Sequence, residues 1–433
     1  MKWVCQFAGI AIAAAMILIP RTQAAAADNR LPSLPSGFPA RSGETSLRHG
    51  DFAAARLAFQ EAAARNPSDA RAWWGLGRIQ QLHFRREAAR DLFSKAYRLA
   101  PLDPEIVRSY LDFVGDPNAR SVLLRNLIAI TKNTHPESAR WAQARLELED
   151  RLAGRETGVL SSAYADYRIP LGGFRPAGSG ERGLVVAVRV NGGRPLRLVL
   201  DTGARGILIH ASAARDLGLE ALVEAEVGGF GVGGAIKSTL SLARSLSLGD
   251  LQFRDCLVEV SANRIAAGVD GVLGPSLFER FVVRIDPRSQ ILQLTARKEN
   301  EAPRGDQAVG LDRLLLVRAE VASGRAGWFL LDTGAAFTAV AADSVTPVVR
   351  SGDLQLAGLQ GIAGASRISQ VWLRVAGKAM ADSEAVALDL GGLSRKEGIE
   401  ISGILGYSAL SRWPLTIDFR TGRVQIGDAD QSH

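Results

Sequence analysis

The sequence is poor in the residues that build metal centres and covalent cross-links. It holds 2 cysteines and 5 histidines in 433 residues. Cys5 lies before an apolar run at the N-terminus, in a segment that processing on export would remove. Cys256 would then be the single thiol of the processed chain, and no intramolecular disulfide could form in it. Cys256 stands in a strand-like run and is predicted to be a core residue. The histidines share no ligand spacing: His49, His83, His135, His210 and His433. We therefore expect no metal and no other cofactor.

Clusters of positive charge are also missing. The formal net charge is +7, but the arginines are spread singly along the chain and are mostly interleaved with acidic residues. Nucleic-acid-binding proteins usually concentrate basic and aromatic side chains in a stripe or patch. The sequence therefore predicts no nucleic-acid partner, and the charge indicates solubility and weak attraction to anionic surfaces.

A long hydrophobic run stands at the N-terminus. Lys2 is followed by apolar residues from Trp3 to Pro20, and then by Arg21 and small residues that offer cleavage sites. This order is typical of a secretory signal, predicted here for residues 1–27, and it indicates a periplasmic or secreted protein. An uncleaved membrane anchor is the alternative, because the run approaches the length that spans a bilayer.

One stretch of the chain occurs twice. The first copy, LVLDTGARGILI, spans residues 198–209, and the second, FLLDTGAAFTAV, spans residues 329–340. In each copy an apolar run typical of a buried strand leads into Leu-Asp-Thr-Gly-Ala at a tight turn. Asp201 and Asp332 are thereby placed where a strand meets a loop.

The surroundings of the two copies repeat as well. Gly274, in a Val-Leu-Gly segment, follows Asp201 by 73 positions, and Gly406, in an Ile-Leu-Gly segment, follows Asp332 by 74. A further aspartate stands 12 residues beyond each of these glycines: Asp286 and Asp418. Matched motifs at matched spacing indicate an internal duplication in which each half is one structural unit.

The two halves resemble the lobes of aspartic proteases, in particular the retropepsin-like type found in bacteria. In that family each lobe carries one Asp-Thr-Gly loop beside a later apolar-apolar-Gly segment. The resemblance covers about residues 165–428, with lobe one at 165–298 and lobe two at 308–428. It implies an all-β bilobal body with Asp201 and Asp332 as catalytic residues. Because both lobes lie in one chain, it also implies catalysis by a monomer.

Pairing of two aspartates has a chemical purpose. Two carboxyl groups within hydrogen-bond reach cannot both ionise at low cost, so they share one proton over a range of pH, and the aspartic-protease pair is the standard example. The ionised partner can take a proton from an attacking water, while the protonated partner donates to the developing oxyanion. Neither a covalent intermediate nor a metal is needed.

The residues after each aspartate have predicted supporting roles. Gly203 and Gly334 leave room for the backbone to approach the carboxylates. The hydroxyls of Thr202 and Thr333 can tie one loop to the other, as the paired threonines of the family do. The alternative for the threonines is that they are strand-end residues bonded to their own backbone.

A glycine-rich segment follows each loop at a similar distance. The first includes Phe230, Gly231 and Val232, and the second includes Gly361 and Ile362. Symmetric glycine-rich hairpins at this place are similar to the flaps that close over substrate in retropepsins. Neither segment has the tyrosine of the pepsin flap. A dinucleotide-binding loop is not indicated, because the βαβ context and the downstream acid are missing.

Residues 42–154 have a helical pattern with a period of 34. Four residues recur after 34 positions: Ala55, Phe59, Ala62 and Pro67 with Ala89, Phe93, Ala96 and Pro101. Together with Trp73, Leu76 and Gly77 they resemble a tetratricopeptide repeat, with one complete repeat from Ala70 to about Asp103 after a half-repeat. The resemblance implies a groove for a peptide or partner protein. Bracing of the catalytic body is the alternative, because stable arrays normally need three repeats.

The fold class expected from the sequence is mixed, with an N-terminal α-helical repeat domain before an all-β bilobal body. The expected function is that of an aspartic endopeptidase acting on peptides or proteins. A non-catalytic peptide-binding or assembly protein, using the repeats and the cleft, is the alternative from a different class. Intact aspartates in both halves favour the enzyme.

Overall fold

The computed structural model describes residues 9–10, 38–175, 180–228, 236–297, 304–321, 326–342, 350–358, 361–368 and 370–428. Within these ranges the chain forms a helical unit, of residues 38–146 and 391–400, and a β-rich unit that holds the remainder. The predicted N-terminal signal lies outside the described residues except for the short strand β1, Gly9–Ile10. No helix in the described ranges has the length and apolar character needed to span a membrane.

Seven helices are described between residues 38 and 152. They are α1 (Phe38–Arg48), α2 (Phe52–Arg65), α3 (Ala70–Leu82), α4 (Arg86–Leu99), α5 (Pro104–Leu111), α6 (Pro117–Thr131) and α7 (Pro136–Leu152). Aspartate side chains accept the free N–H groups at the start of four of them: Asp51, Asp69, Asp103 and Asp116. Such N-caps fix where each helix starts.

Two phenylalanines that lie one period apart account for the requirement for glycine at two positions of this unit. Phe59 in α2 and Phe93 in α4 are fully buried. A methyl group added to Gly43 would lie 2.7 Å from the Phe59 ring, and one added to Gly77 would lie 2.8 Å from the Phe93 ring. The two glycines, like the two phenylalanines, are 34 residues apart. Helices α1 and α2 therefore form a pair equivalent to α3 and α4, where the sequence pattern indicated half a repeat.

Residues 391–400 belong to the helical unit although they fall within the second half of the duplicated sequence. They include the short helix Gly391–Glu397. The backbone N–H of Glu400 donates to the carbonyl of Arg48, at 2.6 Å, and its carboxylate lies 2.9 Å from Nδ1 of His49. The segment thus joins the C-terminal end of α1.

Lobe one of the β-rich unit is built from strands connected by short turns. They are β2 (Val159–Leu160), β3 (Tyr167–Phe174), β4 (Gly183–Val190), β5 (Leu196–Leu200), β6 (Ile207–His210), β7 (Glu220–Gly228), β8 (Ile236–Leu248), β9 (Leu251–Ser261), β10 (Gly271–Leu273), β11 (Phe281–Asp286) and β12 (Ile291–Ala296). A short α-helix, Ala211–Ala214, follows β6, and a 3₁₀ helix, Pro275–Leu277, follows β10.

Lobe two repeats this arrangement. Its strands are β13 (Asp306–Gln307), β14 (Val309–Leu311), β15 (Leu314–Val321), β16 (Ala326–Leu331), β17 (Ala339–Ala341), β18 (Arg350–Gly358), β19 (Gly361–Ile368), β20 (Val371–Val375), β21 (Lys378–Asp382), β22 (Val386–Leu388), β23 (Gly403–Leu405), β24 (Leu415–Asp418) and β25 (Arg423–Ile426). The short helix Tyr407–Leu410 follows β23.

The strand order proves that the duplication is structural. In lobe one neighbouring strands run β5-β10-β6-β9-β8-β7, and in lobe two they run β16-β23-β17-β22-β19-β18. In each lobe the middle strand, β10 or β23, is parallel to the strand before the aspartate and antiparallel to the strand after it. All three residues of β10 and of β23 are buried, as expected for strands covered on both faces.

An antiparallel sheet joins the two lobes. Strand β11 of lobe one pairs with β24 of lobe two, and their outer neighbours β12 and β25 extend the sheet. Asp286 ends β11 and accepts the N–H groups of Arg288 and Ser289, while Asp418 ends β24 and accepts that of Arg420. The second pair of repeated aspartates therefore shapes the turns of this sheet.

Candidate active site

Each predicted catalytic aspartate is positioned by the apolar-apolar-Gly segment of its own lobe. The N–H of Asp201 donates to the carbonyl of Leu273, at 3.0 Å, and the N–H of Asp332 donates to that of Leu405, at 3.1 Å. Both bonds continue a parallel strand pair by one residue beyond its end. The repeated spacing of about 73 residues thus corresponds to one backbone hydrogen bond that forms in the same place in each lobe.

The threonines tie the two loops together. The Thr202 hydroxyl donates to the carbonyl of Leu331, at 2.8 Å, and the Thr333 hydroxyl donates to that of Leu200, at 2.7 Å. Each hydroxyl also accepts the N–H of the opposite threonine, at 3.0 Å for Thr202 and 3.1 Å for Thr333. All four groups are buried, where an unmet donor or acceptor is costly. The threonines therefore bridge the lobes and do not simply bond their own strand ends.

The glycines allow each loop to press against the carboxyl group of the other lobe. A methyl group added to Gly203 would lie 2.5 Å from Cγ of Asp332. One added to Gly334 would lie 2.3 Å from Cγ of Asp201. Carbon atoms without a bond between them do not approach this closely. Both positions therefore require glycine because of this close approach.

The two carboxyl groups face each other with matching bonding patterns. Oδ1 of Asp201 accepts the N–H of Gly203, at 2.7 Å, and Oδ1 of Asp332 accepts those of Gly334 and Ala335, both at 2.9 Å. Both aspartates are 0 % exposed. Among the described residues, no N–H or hydroxyl donates to either Oδ2, although both atoms are buried. Such atoms are the ones on which a shared proton and a reactant can be held.

The environment raises the pKa of both aspartates. Burial, and then the charge of Asp332, raise the pKa of Asp201 well above the usual value for an aspartate. Burial also raises the pKa of Asp332, to about 6, while hydrogen bonds from Asp201 and from two backbone N–H groups hold it down. The pair therefore shares one proton over a range of pH that extends above the usual range for an aspartate.

The raised pKa values of the pair predict the pH dependence of hydrolysis. The singly protonated pair forms at the first ionisation and is lost at the second, so kcat/KM should follow a bell-shaped curve whose acid limb lies at about pH 6. In place of a hydroxyl donor, the backbone N–H of Ala335 bonds to Asp332. Ala335→Ser would add a donor to the ionised form and should move the acid limb to lower pH.

The matched control for this experiment is Ala187→Ser, at an exposed position of β4. It should leave the pH profile of hydrolysis unchanged. An unaltered profile in Ala335→Ser, or wild-type activity that peaks in strong acid, would mean that other donors set the proton affinity of the pair.

Of the two predicted flap segments, the one in lobe two lies in a described hairpin. In lobe one β7 pairs with β8 as far as Val227 and Ile236, and Phe230, Gly231 and Val232 lie outside the described residues between them. In lobe two β18 pairs with β19, and Gly361 and Ile362 are the first residues of β19. The hairpins occupy equivalent places in the two lobes. Closure over a substrate stays a prediction.

Side-chain contacts between the lobes were not predicted from the sequence. Next to the lobe-one loop, Arg205 binds the carbonyl of Asp312 through Nε, at 2.9 Å, and its carboxylate at 3.1 Å. Next to the lobe-two loop, the hydroxyl of Tyr407 donates to the carboxylate of Glu181. The sequence contains one indication of these contacts, which is that both residues stand directly beside the repeated motifs. Arg205 follows Ala204, and Tyr407 follows Gly406.

A second unpredicted contact lies in the same region. The guanidinium of Arg182 lies 4.8 Å from the centre of the Phe337 ring, and its Nη1 is 2.6 Å from the carboxylate of Glu384. Phe337 is three residues beyond Gly334. Contacts of lobe-one residues with this loop add to the threonine bridge in fixing the lobes against each other.

Comparison with known families gives one match in each of the two parts of the chain. The family described as aspartyl protease matches residues 186–277, and the family described as tetratricopeptide repeat matches residues 42–104. No match was found among curated proteins. The chain thus contains a retropepsin-like aspartyl protease domain and a tetratricopeptide repeat region. The predicted fold class, helical repeats followed by a β-rich body like that of aspartic proteases, is confirmed.

Proposed function

We propose that this protein, with its aspartyl protease domain, is an endopeptidase that hydrolyses peptide bonds with Asp201 and Asp332 of the same chain. The observation that supports this most strongly is the pairing of two fully buried carboxyl groups, both with a raised pKa, across a symmetric pair of loops. A structural role would not require two such carboxyl groups, because burying them unpaired with cations is costly.

The proposed reaction uses the two aspartates in different roles. Ionised Asp332 takes a proton from a water molecule as the water oxygen attacks the carbonyl carbon of the scissile amide. Protonated Asp201 donates its proton to the carbonyl oxygen, which becomes the hydroxyl of a tetrahedral intermediate. Collapse of this intermediate breaks the C–N bond: Asp332 gives its proton to the leaving amine nitrogen, and Asp201 takes back the proton of one hydroxyl, which leaves the carboxylic acid product and restores the singly protonated pair. The threonine bridge and the two glycines hold the carboxyl groups in place throughout.

The direct experiment is digestion of a synthetic peptide library by the purified protein at about pH 6.5, a value near the expected acid limb. New termini are identified by mass spectrometry, and Asp201→Asn is the inactive comparison. The proposal expects internal cleavages with the wild type that are missing with the variant. Equal products from both proteins would show that a contaminant, or another site, is responsible.

We also propose that the helical repeats bind a protein, in keeping with the match to tetratricopeptide repeats. The partner is either the substrate or an assembly factor. We further propose, from the N-terminal sequence pattern, that the chain is exported to the periplasm or secreted. N-terminal sequencing of the protein isolated from each cell fraction would test this, and a cytoplasmic protein with an intact N-terminus would contradict it.

Removal of the helices distinguishes recruitment from bracing. If they recruit substrate, a chain that begins at Arg155 should keep kcat/KM for short peptides and lose about 10-fold or more for a protein substrate, because remote binding energy is lost. The shortened chain also leaves residues 391–400 without Arg48 and His49. Equal loss on both substrates would therefore indicate bracing. The measurement is kcat/KM for one peptide and one unfolded protein.

A further inference from the structure

Lobe two contains a buried carboxylate that the proposed reaction does not use. Asp382, the last residue of β21, is 2 % exposed. Its Oδ1 accepts the N–H of Glu384, at 2.8 Å, and its Oδ2 accepts the hydroxyl of Ser408, at 2.5 Å. Within the described ranges no cation pairs with it. Burial of a carboxylate without a cation costs stability. The side chain that this carboxylate holds is that of Ser408, in the short helix Tyr407–Leu410.

Ser408 connects this carboxylate to the catalytic loop of lobe two. Its Oγ accepts the N–H of Thr338, at 2.9 Å. Thr338 is fully buried and stands six residues after Asp332. The hydroxyl of Thr338 accepts the N–H of Gly406, at 3.3 Å. A row of hydrogen bonds therefore runs from Asp382 to the catalytic loop and to the apolar-apolar-Gly segment beside it.

The backbone of the same helix also holds the loop. The N–H of Tyr407 donates to the carbonyl of Ala335, at 2.7 Å, and the N–H of Ser408 donates to that of Ala336, at 3.2 Å. The N–H of Ala335 in turn donates to Oδ1 of Asp332, at 2.9 Å. The residue that bonds the catalytic carboxyl group is thus fixed on its other side by the helix that contains Ser408.

Lobe one has the same two residue types at the equivalent places. Strand register makes Asp255, in β9, equivalent to Asp382. Ser276 follows Gly274 by two positions, as Ser408 follows the glycine of lobe two. The side chains of Asp255 and Ser276 make no hydrogen bond with the rest of the described chain. The row of bonds is therefore specific to lobe two.

Two substitutions remove parts of this network from lobe one. Ile207 stands six residues after Asp201, at the position of Thr338, and Pro275 stands at the position of Tyr407. Isoleucine has no hydroxyl to accept the glycine N–H, and proline has no N–H to donate to the loop carbonyl. The two lobes nevertheless have the same strand order. The network is therefore not required for the fold of a lobe.

The loops also differ in how the residue after Asp-Thr-Gly is bonded. In lobe one the N–H of Ala204 donates to the backbone carbonyl of Asp201, at 3.3 Å. In lobe two the N–H of Ala335 donates to the carboxyl group of Asp332, at 2.9 Å. The lobe that has the network thus directs this N–H to its catalytic carboxyl group.

We propose that Asp382 and Ser408 are positioning residues of the active site, which hold the lobe-two loop so that the N–H of Ala335 meets the carboxyl group of Asp332. The inference rests on the proposed endopeptidase function and adds the groups that set the geometry of one catalytic residue. Positioning has a large effect on rate, because a displacement of about 1 Å can lower it by about 100-fold.

The experiment measures kcat and KM of Ser408→Ala and Asp382→Ala with one peptide from the library digestion. We expect kcat to fall by about 10-fold or more and KM to stay within about twofold, because a displaced carboxyl group affects the transition state more than peptide binding. The double variant should lose no more than the weaker single variant, since both side chains act through one row of bonds. Ser408→Thr keeps the hydroxyl and should keep kcat within about threefold.

The matched controls are Asp255→Ala and Ser276→Ala, which remove the same groups from the equivalent places of lobe one. Both should keep the kcat and KM of the wild type. Thermal unfolding is recorded for every variant, and all assays are run well below the lowest unfolding midpoint. A purely structural role would lower the midpoint of the lobe-two variants and leave the kcat of the folded protein unchanged.

Each possible result has a definite meaning. An unchanged kcat in Ser408→Ala and Asp382→Ala, or an effect on KM alone, overturns the inference and leaves the endopeptidase function intact. The inference is equally overturned if the lobe-one controls or Ser408→Thr lose as much kcat as Ser408→Ala, or if the two single losses multiply in the double variant. Failure of the wild type to cleave any peptide overturns both the inference and the proposed function.

Discussion

Asp332→Asn and Asp201→Asn are each expected to lower kcat/KM for peptide hydrolysis by about 10³- to 10⁴-fold, the range for removal of a catalytic acid or base. Asparagine keeps the shape of the side chain and its bond to the N–H of Gly334 or Gly203. It can neither ionise nor carry the shared proton. The measurement is kcat/KM at the wild-type optimum with one peptide from the library digestion.

Stability provides the control for these variants. The folded pKa of Asp332 is raised to about 6 from 3.8, so the folded state binds the proton more tightly than the unfolded state. Between these values the free energy of unfolding falls as pH rises, and at pH 7 the pair destabilises the fold. The asparagine variants should therefore melt no lower than wild type at pH 7. Asp286→Asn, at a turn of the inter-lobe sheet, should keep activity.

Activity near wild type in either asparagine variant would remove that residue from the reaction. A variant that is inactive and melts several degrees lower would instead show that the carboxyl group stabilises the fold. The two measurements together therefore separate a catalytic from a structural role.

Gly203→Ala and Gly334→Ala should also be inactivating, with a loss of about 10²-fold or more, because small displacements of catalytic groups have effects of this size. The added methyl groups would lie 2.5 Å and 2.3 Å from Cγ of the opposite aspartate. Relief of this overlap must push the loops apart and strain the threonine bridge, which should cost about 1–3 kcal/mol of stability. Activity is measured with the same peptide, and stability by thermal unfolding.

The chain offers a matched control in the same loop. A methyl group added to Gly206 would meet no atom within 4 Å. Gly206→Ala should therefore keep both activity and stability, although it lies three residues from Gly203. Equal losses in all three alanine variants would indicate a general requirement for loop flexibility and would contradict the account based on close approach.

The duplicated architecture could be predicted because each functional contact is made once in each lobe. The bond from Asp201 to Leu273 recurs from Asp332 to Leu405 with nearly the same sequence separation. A repeated spacing is visible in a sequence even when neither copy is conclusive alone. The same holds for the helical repeats, where Phe59 and Phe93 meet glycines one period apart.

Other features could not be predicted, because they join residues that are distant in sequence and occur once. Arg205 and Asp312 are 107 positions apart, and Glu181 and Tyr407 are 226 apart. The inclusion of residues 391–400 in the helical unit depends on a contact between Arg48 and Glu400.

The central claim is that one chain holds the whole catalytic pair, and mixing of inactive variants tests it most directly. Wild type, Asp201→Asn, Asp332→Asn and an equimolar mixture of the two variants are assayed with one peptide at the same total concentration. The account predicts an active wild type and a mixture as inactive as its components, because each chain lacks one member of its own pair. A mixture that regains about a quarter of wild-type activity, as expected if pairs form between two chains at random, would contradict it.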